Sequence, residues 1–325
     1  MMAPALIAIA LAAVAPAVPS GAPIRIWGPS AMHGIAERWA EAYRRGHPDV
    51  RFELTMKGSD TAIPGLYGGV ADIALMGRAN DAVDDNGFAR TMQHGVTRIE
   101  IANGAVAAPG KSDAIAILAD ARNPVASLTL AQLAAIVDCG SAAAPARTWG
   151  DVGVRGPWAA RPIHVYAYDF ASRTGAWFQH VVTHDGRKMC WERILEYSDI
   201  HRLDGTLAPA AERIGAAARG DADALVIANA GEAHDGLKLV AVAGADGTRA
   251  MPDADTIMNR RYPLARRAYA FVDRPPGKPL DPRVAGFLDW VLSPEGQALL
   301  AEDKGYLPLD GSTAAAQYAL IGDAR

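Results

Sequence analysis

The stretch RIWGPSAMHGIAERWAEAYRRGHPDV, Arg25–Val50, passes from a short apolar strand into a long amphipathic helix. Between the two lies GPSAM, Gly28–Met32, a turn without an acidic side chain. The first amides of a helix have no partner inside it, and chains usually cover them with Ser, Thr, Asp or Asn. Ser30 can cover one, and the rest of the turn stays bare.

Two other turns share this composition: KGSDTA (Lys57–Ala62), after the strand RFELTM, and ASRTGA (Ala171–Ala176), after the strand RPIHVYAY. Each combines Ser or Thr with Gly and opens a helix. In open α/β sheets, ligands bind beyond the carboxyl ends of the strands. A helix N-terminus there suits an oxyanion, because free amides and the positive end of the dipole face it. Micromolar binding requires about −8 kcal/mol. A hydrogen bond to a charged group contributes about 1.5–3 kcal/mol and one helix terminus about 0.3–1 kcal/mol. One turn is too weak, whereas three converging turns with the hydroxyls of Ser30, Ser59, Thr61, Ser172 and Thr174 are enough. The competing reading makes these residues plain helix caps.

Apolar strands and helices alternate along the chain: ADIALMG, DALVIA, LKLVAV and AYAFVD read as strands, and LTLAQLAAIV and PAAERIGAAARG as helices. RVAGFLDWVLSPEGQALLAEDKG reads as one or two closing helices, broken at Ser293–Pro294. The alternation predicts an α/β fold with mostly parallel strands. The 325 residues suffice for two average domains. Half the residues are hydrophobic and 21% are charged, enough for a sizeable core. A net charge of −4 argues against nucleic acid as a partner, since such binding relies on a basic surface.

The segment MMAPALIAIALAAVAPAVPSG, 1–21, has no charged side chain and reads as a secretory signal. An uncleaved membrane anchor is the alternative. Cys139 and Cys190 are the two cysteines. A disulfide and two buried free thiols both fit an oxidising compartment. The eight histidines are scattered, so neither a metal nor another cofactor is expected.

Over nearly the whole mature sequence the chain resembles the periplasmic phosphate-binding proteins of phosphate ABC transporters. GPSAM and HPDV resemble the family's GSSTM turn and helix exit, and KGSDTAIPGLYGGVADIALMGRA its GGSGTGIKALLEGTADIAMASR segment. ASRTGAWF stands where the family has GSGTRDTF, and YPLARRAY with the closing GYLPL is the nearest match. That last piece speaks for the fold more than for the ligand.

The resemblance implies a type II fold of two α/β lobes, 22–100 plus 268–325 and 101–267, with an anion in the cleft. It implies ligand contacts from Ser30, Ala31, Met32, Ser59, Asp60, Thr61, Gly77, Arg78, Ser172, Arg173 and Thr174. It also implies a periplasmic monomer that serves an ABC permease.

The binding turns depart from the family. Ala31 replaces a Thr, Asp60 a Gly, Gly77 the Ser of ASR, Arg173 a Gly, and Tyr168 an Arg. Arg173 is a candidate for the missing charge. Asp60 and Asp169 can accept the proton that phosphate keeps near neutral pH and repel sulfate, or they can cap helices. Trp27, Trp39 and Trp177 read as packing. Three functions compete: a phosphate receptor, a sensor or scavenger on the same fold, and a hydrolase using Ser59 or Ser172. The last lacks a G-x-S-x-G elbow and a His or Lys beside either serine, so no catalytic residue is expected.

Overall fold

The computed structural model describes residues 21–108, 110–139, 145–169, 171–183, 189–232 and 235–322. Apart from Gly21, the expected signal segment lies outside these residues, as does the side chain of Arg173. The chain opens with β1 (Ile24–Trp27), α1 (His33–Gly46), β2 (Phe52–Thr55), α2 (Ser59–Tyr67), β3 (Ile73–Met76), α3 (Ala82–Met92) and β4 (Thr97–Gly104). It continues with β5 (Ile115–Asp120), β6 (Ser127–Thr129), α4 (Leu130–Val137), β7 (His164–Tyr168), α5 (Arg173–Thr183) and β8 (Ile194–Tyr197). β9 (Ile200–His201), β10 (Leu207–Ala208), α6 (Ala210–Ala218), β11 (Ala224–Asn229), β12 (Leu237–Ala243), β13 (Arg249–Ala250) and α7 (Ala254–Met258) follow. β14 (Arg267–Val272), α8 (Pro282–Leu292), α9 (Pro294–Asp303), β15 (Tyr306–Leu307) and α10 (Gly311–Ile321) close the chain.

The fold is α/β and two-lobed. One sheet has the order β15-β4-β14-β3-β1-β2 and the other β13-β12-β5-β11-β7-β8. The chain leaves the first sheet after β4, builds the second, and returns to insert β14 between β4 and β3. Two connectors, 105–114 and 259–266, therefore join the lobes.

The expectation of mostly parallel strands is corrected. β1 runs parallel to β2 and β3, but β14 is antiparallel to both β3 and β4. β11 is parallel to β7 and antiparallel to β5. The outgoing strand β4 and the returning strand β14 cross toward and from the other lobe in opposite senses, and apolar alternation carries no record of direction.

Each lobe has its own core. α1 buries Ile35, Ala36, Trp39 and Tyr43 in one core with the first sheet, which is the one-sided stripe of an amphipathic helix. Trp39 donates its indole N–H to the Gly296 carbonyl at 2.8 Å and ties α1 to α9. In the other lobe β5 is buried at every residue and Trp149 fills the core. Full burial of one such apolar side chain stabilises by about 1.5–3 kcal/mol. The break at Ser293 is present, with its hydroxyl accepting from the Gly296 amide at 3.2 Å.

α3 escapes the apolar pattern because its sequence, AVDDNGFARTM, is rich in poor helix formers. Asp81 caps it with bonds from the amides of Val83 and Asp84. Cys139 and Cys190 form a disulfide, their Cα atoms 4.3 Å apart, which decides between the two cysteine readings. Among the described residues no helix is long and apolar enough to cross a membrane.

Candidate functional site

A small cavity lies between the lobes where the first two polar turns meet the connectors. After β1 the chain makes a 3-10 turn, Ser30–Met32, and neither this turn nor α1 has a side-chain cap. Ala31 lines the cavity. Ser30 is exposed, and Met32 is a core residue whose amide bonds to the Pro29 carbonyl at 2.9 Å. A Cβ on Gly28 would lie 3.1 Å from both the Cβ and the carbonyl oxygen of Leu75, so a side chain there would push β3 back by a few tenths of an ångström.

The second turn opens α2 behind Gly58, whose φ of 126° suits glycine, and α2 too has no side-chain cap. Ser59 is buried and lines the cavity. The Thr61 hydroxyl turns back to the Gly58 carbonyl at 2.9 Å. The Asp60 side chain is 94% exposed and reaches Arg78 at 3.3 Å. Gly77 and Arg78 follow β3 into the cavity wall. Buried Asp84 accepts from Arg78 at 2.5 Å and holds the guanidinium in place.

The connectors supply the other charged groups. Lys111 donates to the Ala31 carbonyl at 2.7 Å and lies 5.7 Å above the Tyr306 ring. Arg266, 7% exposed, donates to the Thr174 hydroxyl at 2.7 Å and to Asn229 Oδ1 at 3.3 Å. Its guanidinium lies 5.8 Å above the Trp177 ring. Among the described residues, Arg78, Lys111 and Arg266 line the cavity and no carboxylate does. Such a wall attracts an anion and offers it several donors. Behind it, burial pushes the Asp113 carboxyl up to about 6, while the Ala108 amide and Arg266 hold it down.

The third turn contributes indirectly. The Ser172 hydroxyl donates to the Asp169 carbonyl at 2.6 Å and accepts from the Gly175 amide at 3.0 Å, so it caps α5. Ser172 and Asp169 face a separate groove with Asp199 and Glu232. Thr174 is buried, donates to Asn229 at 3.1 Å and accepts from Arg266. Tyr168 donates to Glu232. The suggestion that Arg173 supplies a charge falls on a side chain outside the described residues.

Trp177, read from the sequence as packing, lines the cavity instead, while Trp39 is core. Away from the cavity, His164, Asp221 and Asp223 bring ligand atoms within 4.8 Å of one another. Both carboxylates are engaged there, Asp221 by His164 and Tyr166 and Asp223 by Arg161.

A family model described as a PBP superfamily domain matches residues 13–295. The chain belongs to the PBP superfamily. The phosphate-binding protein PstS of Pseudomonas aeruginosa is 30% identical over 94% of this chain and 91% of its own length. Among solved structures, PstS from Borrelia burgdorferi has a TM-score of 0.60 at 17% identity, covering 89% of this chain and 99% of that one. An ABC-type phosphate transport receptor from Vibrio cholerae has a TM-score of 0.56 at 20% identity, covering 87% and 99%. These two likenesses concern the fold.

The Pseudomonas aeruginosa relative is named as a phosphate-binding protein and not as an enzyme. Sequence reasoning passed over Lys111, Ser112 and Arg266. Lys111 and Ser112 sit in the segment GKSD, a further Gly-Lys-Ser combination, but one that follows β4 without opening a helix. Arg266 sits in YPLARRAY, which the resemblance marked as structural. Their role depends on where the two connectors cross, which local pattern does not encode.

Proposed function

We propose that this protein is a periplasmic receptor that binds inorganic phosphate between its lobes and hands it to an ABC permease. The observation that carries this reading is a cavity lined by three cations and no carboxylate, beside the uncapped start of α2. The name of the Pseudomonas aeruginosa relative agrees with it. Arg78 and Arg266 present guanidinium forks, which suit bidentate contacts to phosphate oxygens, and Lys111 adds a point charge. Ser59, Ala31 and the first amides of α2 supply neutral donors. Charge-assisted bonds of about 1.5–3 kcal/mol each total enough for micromolar affinity after the cost of association.

The segments up to 104 and from 267 form one body and 115–258 the other, with the connectors 105–114 and 259–266 as the hinge. Closing such lobes around a ligand is a common motion of binding proteins. The protein acts as a monomer, and the segment 1–21 directs its export. Calorimetry of phosphate-stripped protein against phosphate, arsenate, sulfate and molybdate tests the reading. Micromolar or tighter binding of phosphate and arsenate is expected. Heat from molybdate alone, or from none of the four, would refute it.

A further inference from the structure

Gly77 and Ser112 compete for one volume. Gly77 follows β3 in one lobe, and Ser112 belongs to the first connector. Both line the cavity. A Cβ built on Gly77 would stand 2.1 Å from Ser112 Oγ and 3.5 Å from Ser112 Cβ. Real Cβ atoms do not approach another atom so closely, so residue 77 carries a side chain only if the Ser112 hydroxyl leaves. That hydroxyl thus fills the place where a side chain of residue 77 would begin.

Ser112 is 6% exposed, and its hydroxyl donates to the Gly77 carbonyl at 3.2 Å. This is long for a bond between oxygens, whose usual separation is about 2.7–2.8 Å. A hydroxyl hydrogen rotates to suit its surroundings, so a charged acceptor in the cavity competes well for this proton. An oxyanion held by Arg78, Lys111 and Arg266 is such an acceptor.

We infer that Ser112 is a ligand-contacting residue whose hydroxyl, delivered from the connector, replaces one that a serine at position 77 would supply from β3. The inference rests on the phosphate reading and refines it. It also puts a donor on the segment that flexes when the lobes move, so that this contact depends on the hinge state.

The test measures phosphate binding by calorimetry for the wild type, Ser112→Ala, Gly77→Ser and the double variant, with thermal unfolding recorded for each. Ser112→Ala should weaken binding about 10- to 100-fold, the range for one hydrogen bond to a charged group, and leave the melting temperature nearly unchanged. Gly77→Ser alone should weaken binding and lower the melting temperature, because of the collision. The double variant should recover most of the affinity and the stability, since the serine enters the space that Ser112 vacates.

Unchanged binding in Ser112→Ala overturns the inference, as does a double variant no better than the weaker single one. If Ser112→Ala fails to fold, recovery of folding and affinity in the double variant still supports exchange of the two hydroxyls, and failure of both refutes it. A wild type that ignores phosphate strikes the functional reading itself, a result distinct from either.

Discussion

The guanidinium of Arg266 donates to the hydroxyl of Thr174 at 2.7 Å, although 92 residues separate them in the chain. Arg266 ends the returning connector, and Thr174 lies in the first turn of α5 in the other lobe. A buried cation on a connector therefore joins the second lobe to the wall of the cavity. Arg266→Met should weaken phosphate binding at least about 100-fold, because two or more charge-assisted bonds of roughly 1.5–3 kcal/mol are lost. Arg266→Lys should recover only part of this, since an ammonium cannot span Thr174 and a ligand as a fork does. Calorimetry of both variants decides, and equal affinities for Arg and Met would remove Arg266 from the site.

Arg78 and Asp60 should behave very differently. Arg78 is locked to buried Asp84 at 2.5 Å, whereas Asp60 meets it only at 3.3 Å with a side chain that is 94% exposed. Arg78→Ala should cost about 3 kcal/mol of stability by leaving buried Asp84 with the Asp81 amide but no cation, and should also reduce anion affinity. Asp60→Asn should change stability by less than about 0.5 kcal/mol, as exposed pairs do, and affinity less than about threefold. Urea unfolding and phosphate titration of the two variants test this contrast. A large loss of phosphate-over-sulfate selectivity in Asp60→Asn would restore Asp60 as the proton acceptor.

Asp113 gives the stability a pH signature. Burial raises its carboxyl from 3.8 to about 6, so the folded state holds the proton more tightly than the unfolded chain. Its contribution is fully present below the unfolded value and is lost as pH rises through the window from 3.8 to about 6. Asp113→Asn has no such proton to lose. The melting temperature of the wild type relative to this variant should thus fall as pH rises across that window. A difference that stays flat from pH 4 to pH 6.5 would contradict the shift.

Reduction should weaken the lobe built on the second sheet. Cys139 and Cys190 are 51 residues apart, and closing a loop of that length stabilises by about 4 kcal/mol in the chain-entropy account. The pair Cys139→Ser with Cys190→Ser, or treatment with dithiothreitol, should therefore lower the melting temperature measurably. Identical melts with and without reductant would refute that contribution.

Much of this is legible in the sequence. The α1 stripe, the strand-to-helix turns at Gly28 and Lys57, and the Ser293 break are local, since spacing and caps are written along the chain. The first turn left its cap open as the sequence indicated, and the second did so too. Where hydroxyls went was less legible. Ser172 and Thr61 satisfy their own turns, and Ser30 faces solvent. A hydroxyl beside a free amide can serve a ligand or the backbone, and only the surrounding groups select between them.

By itself the sequence determined which segments become apolar strands and amphipathic helices, because burial and propensity act within a few residues. It also determined that polar, weakly capped turns would stand at strand ends. Tertiary structure alone decided that β14 enters between β3 and β4, that Cys139 meets Cys190, and that Lys111, Ser112 and Arg266 join Arg78 around one cavity. Those pairings join residues up to 197 positions apart, Ala74 with Phe271. Charge and hydroxyl groups far apart in the chain come to line one cavity only because the two connectors bring them together.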